Sequence, residues 1–89
     1  MRAIISVIGR DQVGILAKVT AVCAAHKVNV VDVTQSVLRE FFAMIMLVDI
    51  SESELSLTDF GDEMNKVGEE MGMSIRVMHE DIFNAMHTI

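Results

Sequence analysis

Apolar and polar positions along the 89 residues follow two alternating periods, and each change of period marks an element. Residues 3–8 form a β-branched run and predict strand one. Gly9-Arg10-Asp11-Gln12-Val13-Gly14 follows as a turn, with Asp11 suited to accept from the free N–H groups of a helix start. Ile15, Leu16, Val19, Val22 and Cys23 then share one helical face, which predicts helix one over 13–26. Strands are predicted over 28–38 and 41–50, joined by a tight Arg39-Glu40 hairpin that lacks the usual Asn or Gly. After a polar loop, Ser56 and Asp59 form a loose capping box. Leu57, Phe60, Met64, Val67 and Met71 recur at spacings of three and four, and Gly72 suits the stop of this second helix. Residues 73–79 read as strand four, with Ile75 and Val77 facing the helices, and Asp81 as the cap of a short tail over 82–86.

The order β-α-β-β-α-β is that of a split βαβ, ferredoxin-like α+β fold. It predicts a four-stranded antiparallel sheet with two helices on one face, plus a short C-terminal helix. The length fits one domain over 1–89. The sheet face away from the helices should then be polar, giving strict alternation. Strand three breaks that rule: Phe41, Ala43, Ile45 and Leu47 occupy one side, and Phe42, Met44, Met46 and Val48 the other. With 52% of residues apolar, an interaction surface is expected on the open face, a homodimer or higher homo-oligomer being its simplest use. One short tail cannot cover four strands. Met44 and Met46 are natural probes of that contact, one of them being expected on the open side.

Charge and composition exclude several functions. The net charge is −6, and the seven Lys and Arg do not cluster, which speaks against nucleic-acid binding. No apolar run approaches the roughly 20 residues of a membrane span, and no signal-peptide pattern is present. A lone Cys23 makes no intrachain disulfide and fits the cytoplasm. It lies on the apolar stripe of helix one and reads as an inert core thiol. His79, Asp81 and His87 lack metal-ligand spacing, and the eight Met fall mostly on core positions. The turn before helix one is more informative. Gly9 and Gly14 bracket it, so a small ligand can approach the main-chain N–H groups, and the positive end of the helix dipole suits a carboxylate. The same residues also suit a tight turn with no ligand.

The stretch Gly9-Arg10-Asp11-Gln12-Val13-Gly14-Ile15-Leu16 resembles the motif of ACT domains, a strand followed by Asp-x-x-Gly and an aliphatic pair. His26-Lys27-Val28-Asn29-Val30 resembles their exit from helix one. Asp32-Val33-Thr34-Gln35-Ser36-Val37 and Phe42-Ala43-Met44 are similar to a narrower group, the glycine-cleavage repressor and the N-terminal domain of formyltetrahydrofolate deformylase. The closing stretch from His79 to Met86 is similar to the tail of small free-standing ACT proteins. The resemblance implies a regulatory module without catalytic residues, cofactor or metal. It implies either a small-molecule ligand, an amino acid, at or near a dimer interface with output through a regulated partner protein, or a ligand-free dimeric protein-interaction module. Carried onto this chain, the ligand-binding residues are Asp11, Gly14, Ile15, Leu16, Asn29 and Val30, with Asp32 a weaker addition.

Overall fold

The computed structural model describes residues 1–10 and 14–86, with Leu38 described by its backbone. The elements run β1 (Arg2–Arg10), α1 (Ile15–Ala25), β2 (Asn29–Leu38), β3 (Phe41–Asp49), α2 (Leu57–Met71), β4 (Ser74–His79) and α3 (Glu80–Met86). The four strands form one sheet in the order β2-β3-β1-β4, and each neighbouring pair is antiparallel. α1 packs on β2 and α2 on β4, and the two helices touch each other. This is the ferredoxin-like arrangement that the element order predicts.

Side-chain parity decides which face the helices cover. On β1 the covered positions are Ala3, Ile5 and Val7; on β3 they are Phe42, Met44, Met46 and Val48. The register couples them, pairing Ile5 with Met46 and Val7 with Met44. Both Met44 and Met46 therefore lie in the core, and the expectation that one of them sits on the open face is corrected. The open side of β3 carries Phe41, Ala43, Ile45 and Leu47, of which Phe41 and Ile45 are exposed together with Ile8 of β1. α1 contributes Ile15, Val19 and Cys23 to the core, and α2 contributes Phe60, Met64 and Val67. Leu16 and Val22 of the expected α1 face lie at its margin, with Leu16 exposed.

The helix ends show why the chain turns where it does. The Ser56 hydroxyl accepts from the Asp59 N–H at 3.1 Å and starts α2. Gly72 closes it in the left-handed region. α1 ends in a Schellman motif: Val28 N–H donates to Cys23 O at 2.8 Å and Lys27 N–H to Ala24 O at 3.2 Å. Lys27 takes the left-handed position with φ 59, where glycine is usual. The hairpin closes in two residues, pairing Leu38 with Phe41 and placing Arg39 at φ 58. α3 begins one residue after β4. Asp81 lies in its first turn and donates its N–H to His79 Nδ1 at 3.0 Å, so the ring, and not Asp81, supplies the acceptor there.

Candidate functional site

The sequence motif before α1 leads to a helix start with an unusual N-cap. Gly14 holds φ 87 in the left-handed region and has no side chain to accept from the first turn. The first intrahelical bond runs from Lys18 N–H to Gly14 O at 2.9 Å. The N–H groups of Ile15, Leu16 and Ala17 precede it and have no acceptor within the helix. They point out of the helix end with the positive pole of its dipole. A Cβ built on Gly14 meets nothing within 4 Å among the described residues, so the positive φ, and not crowding, is what opposes a side chain there. Asp11 lies outside the described residues. The N-cap position belongs to Gly14, and α1 starts at Ile15, two residues later than the sequence predicts.

The other half of the expected site is elsewhere. Asn29 opens β2 and pairs with Asp49, which also pairs with Arg2 at the beginning of β1. Gly14 follows the opposite end of β1, where Arg10 pairs with Phe41. The two candidates are thus separated by the whole of α1, eleven residues and about 16 Å of helix. One chain does not bring them together. Ile15 and Val30 use their side chains in the core or against it, leaving their main chains as the available contacts. Asp32 is exposed and its carboxylate accepts from the Val33 N–H at 2.9 Å.

Around Asn29 the structure assembles a polar cavity of about 270 Å3, lined by Lys27, Asn29, Asp49, Ser51 and Glu52. Asp49 accepts from both the hydroxyl and the N–H of Ser51, which holds its carboxyl below the ordinary carboxylate range. Lys27, Asp49, Ser51 and Glu52 were invisible as site residues in the sequence, since the strand register alone brings 49–52 beside 27–29. The Asp49-Ile50-Ser51 turn is the one local signal, an aspartate bonding the main chain two residues on. Neighbouring this end, His26 Nδ1 lies 3.0 Å from Glu54 Oε1. That hydrogen bond is the main reason the Glu54 carboxyl is also lowered.

A pH dependence follows. Both carboxyls have folded-state values below their unfolded ones, so in the acid range the unfolded chain binds more protons. Their contribution is complete above the ordinary carboxylate range, roughly pH 4, and is lost as pH falls through the lowered values. The melting temperature of Glu54→Gln with Asp49→Asn is expected to fall less steeply below roughly pH 4 than that of the parent chain. Parallel melting curves for the two would remove these groups from the acid response.

Other chemistry-bearing residues are quiet. Burial pushes the Cys23 thiol up to about 11, so it stays protonated and poorly nucleophilic. Among the described residues, no three His, Cys, Asp or Glu converge as a metal site, and no helix is long and apolar enough to cross a membrane.

Residues 2–78 match the family model of the ACT domain. The chain belongs to the ACT family. A UPF0237 protein of Methanopyrus kandleri is 47% identical over 88 residues, covering 99% of this chain and 98% of that protein. An ACT domain protein from Streptococcus pneumoniae superposes with a TM-score of 0.82 at 34% identity, over 98% of both chains. The regulatory subunit of aspartate kinase from Thermus thermophilus follows at TM-score 0.67 and 25% identity, matching 86% of this chain and half, 50%, of that one. A putative glycine cleavage system transcriptional repressor shares the fold at TM-score 0.72 and 18% identity, over 86% of this chain and 44% of that one. The ACT fold of this chain is a regulatory fold, related to ligand-binding regulatory domains.

Proposed function

We propose that this chain is an ACT regulatory module, one domain over residues 1–89, that binds a free amino acid between two copies of itself and signals through a partner protein. It catalyses no reaction, and it works in the cytoplasm without nucleic acid or membrane. The observation that carries this reading is the separation of the two half-sites. The N–H groups at the α1 start and Asn29 at the β2 start lie at opposite ends of α1. A ligand touching both must have two copies, each giving one half. The helix start suits the ligand's carboxylate, and the Asn29 amide offers both a donor and an acceptor. The polar cavity beside Asn29 carries Lys27, Asp49 and Glu52 and suits a polar ligand group, and a ligand ammonium at Asp49 would take the place of the Met1 ammonium, which lies 3.7 Å from Asp49 Oδ1. Regulatory relatives such as the aspartate kinase subunit support the class of role. By linkage, the ligand changes the partner's response only as far as it prefers one state of the dimer.

A thermal-shift screen against the common amino acids tests this. A ligand at about 100 times its Kd adds about 2.7 kcal/mol to the folded state. Each kcal/mol is worth roughly 4–8 °C in a domain of this size. One amino acid, or a chemically related few, is expected to raise the melting temperature. A flat screen with ligand well above millimolar sinks the sensor reading and leaves a ligand-free dimeric interaction module.

Gly14→Val is expected to abolish that response. The variant also loses about 1–3 kcal/mol of stability, because a β-branched residue is strained at positive φ. Gly14→Asn separates the two effects, since Asn tolerates the left-handed region while filling the approach to the helix start. An unchanged ligand shift in both variants would move the site elsewhere.

A further inference from the structure

A groove of about 520 Å3 runs between β4 and α2, well away from Gly14 and Asn29. Five consecutive β4 residues, 75–79, line it. Alternate residues of a strand point to opposite faces, so a cleft over one face would meet only every second residue. This groove therefore follows the free edge of β4, whose other edge is bonded to β1. An unpaired edge is a row of main-chain donors and acceptors ready for another strand. The two edges of this sheet differ in how they are guarded. β2 is interrupted by a register shift between Val30 and Asp32, whereas β4 keeps an unbroken register from Ser74 to His79.

The second wall contains an unexplained glycine. Gly61 sits inside α2, where glycine weakens a helix, and it lines the groove. A Cβ there would meet only Val77 Cβ, at 3.9 Å, an ordinary contact. Packing does not require Gly61. Its absent side chain widens the space between α2 and the β4 edge, with Leu57 and Ile82 as apolar neighbours, Asp62 as an anionic one on α2 and Arg76 as a cationic one on β4.

We propose that this groove binds an extended peptide segment of a partner protein, added as a fifth strand beside β4. Main-chain pairing with β4 supplies the hydrogen bonds, and alternate side chains supply specificity. One apolar peptide side chain fills the space over Gly61, a lysine or arginine meets Asp62 on the α2 wall, and an acidic residue meets Arg76 on the β4 side. The proposal goes beyond the amino-acid site and does not rest on it, since neither half of that site lines the groove.

The probe is a phage-displayed library of linear peptides panned on the full chain. Recovered binders are expected to alternate apolar or β-branched residues with a basic and an acidic one. A synthetic binder is expected to lose about tenfold or more in affinity on Gly61→Phe, which fills the groove, and on Asp62→Lys, which reverses its charge. Both variants are expected to melt no lower than the parent chain and to keep the amino-acid response. Failure to recover binders, or binders held equally well by Gly61→Phe, overturns the proposal. So does a dimer that dissociates in Gly61→Phe, because the edge would then belong to a second copy. An amino-acid response lost in Gly61→Phe overturns it too, and makes the groove a small-molecule site.

Discussion

Met46→Asp is expected to leave the chain without a cooperative thermal transition, while Ile45→Asp, one residue away, still folds cooperatively. Met46 is fully buried on the helix side of β3, between the β1 and β2 partners Ile5 and Val33. An aspartate there loses about 1.5–3 kcal/mol of apolar burial. It also places an unpaired carboxyl in the core, at a further cost of several kcal/mol. A chain of 89 residues has roughly 4–13 kcal/mol of stability in total. Ile45 points to the other face and is 40% exposed, so its replacement loses only part of its apolar burial, about 1–2 kcal/mol, and leaves no carboxyl in the core. Circular dichroism with thermal melting reads both variants. A cooperative Met46→Asp melt within a few degrees of the parent would mean that the faces of β3 are inverted. Any change of oligomeric state belongs to Ile45→Asp, on the side where Ile8, Phe41 and Ile45 are exposed.

The same pair shows what the sequence makes legible. The two faces of strand three can be separated by parity, because side chains alternate strictly. Which face is open cannot be read locally, because both carry apolar residues. The answer comes from the register with β1, whose Ala3, Ile5 and Val7 are all buried with the even positions of β3. Element order, the Ser56 cap and the Gly72 stop were readable because each rests on local chemistry. The start of α1 was misplaced for an opposite reason. Asp11 has the better capping chemistry, yet Gly14 holds the N-cap position through a backbone conformation that its lack of Cβ permits. Of the candidate ligand residues, Gly14 and Asn29 stand out in the motif. Their separation by the length of α1 is already implied by the helix predicted between them, whereas the positions of Asp49, Ser51 and Glu52 beside Asn29 are facts of topology. No pattern of spacing along the chain contains them.

Gly68→Val is expected to destabilise the chain severely, and the smaller Gly68→Ala to lower its melting temperature, while Gly61→Ala raises it. Helix propensity alone predicts that each alanine adds about 1 kcal/mol, since both glycines lie inside α2. Their surroundings differ. A Cβ at Gly68 would stand 2.6 Å from the main-chain oxygen of Met73 and 3.3 Å from the main-chain nitrogen of Ile75. The obstacle is backbone, which cannot swing aside like a flexible side chain. The last turn of α2 packs directly on the start of β4, and Met73 N–H donates to Gly68 O at 2.9 Å, fixing the turn between them. Relieving the contact means moving the strand that carries Ile75 into the core. Overpacking of this kind costs about 1–3 kcal/mol for one added methyl and more for an isopropyl group, which outweighs the propensity gain. Gly61 has no such obstacle, so its alanine keeps the gain. Thermal melts of the three variants decide the matter. A rise for Gly68→Ala equal to that for Gly61→Ala would mean that α2 stands further from β4 than the close approach requires.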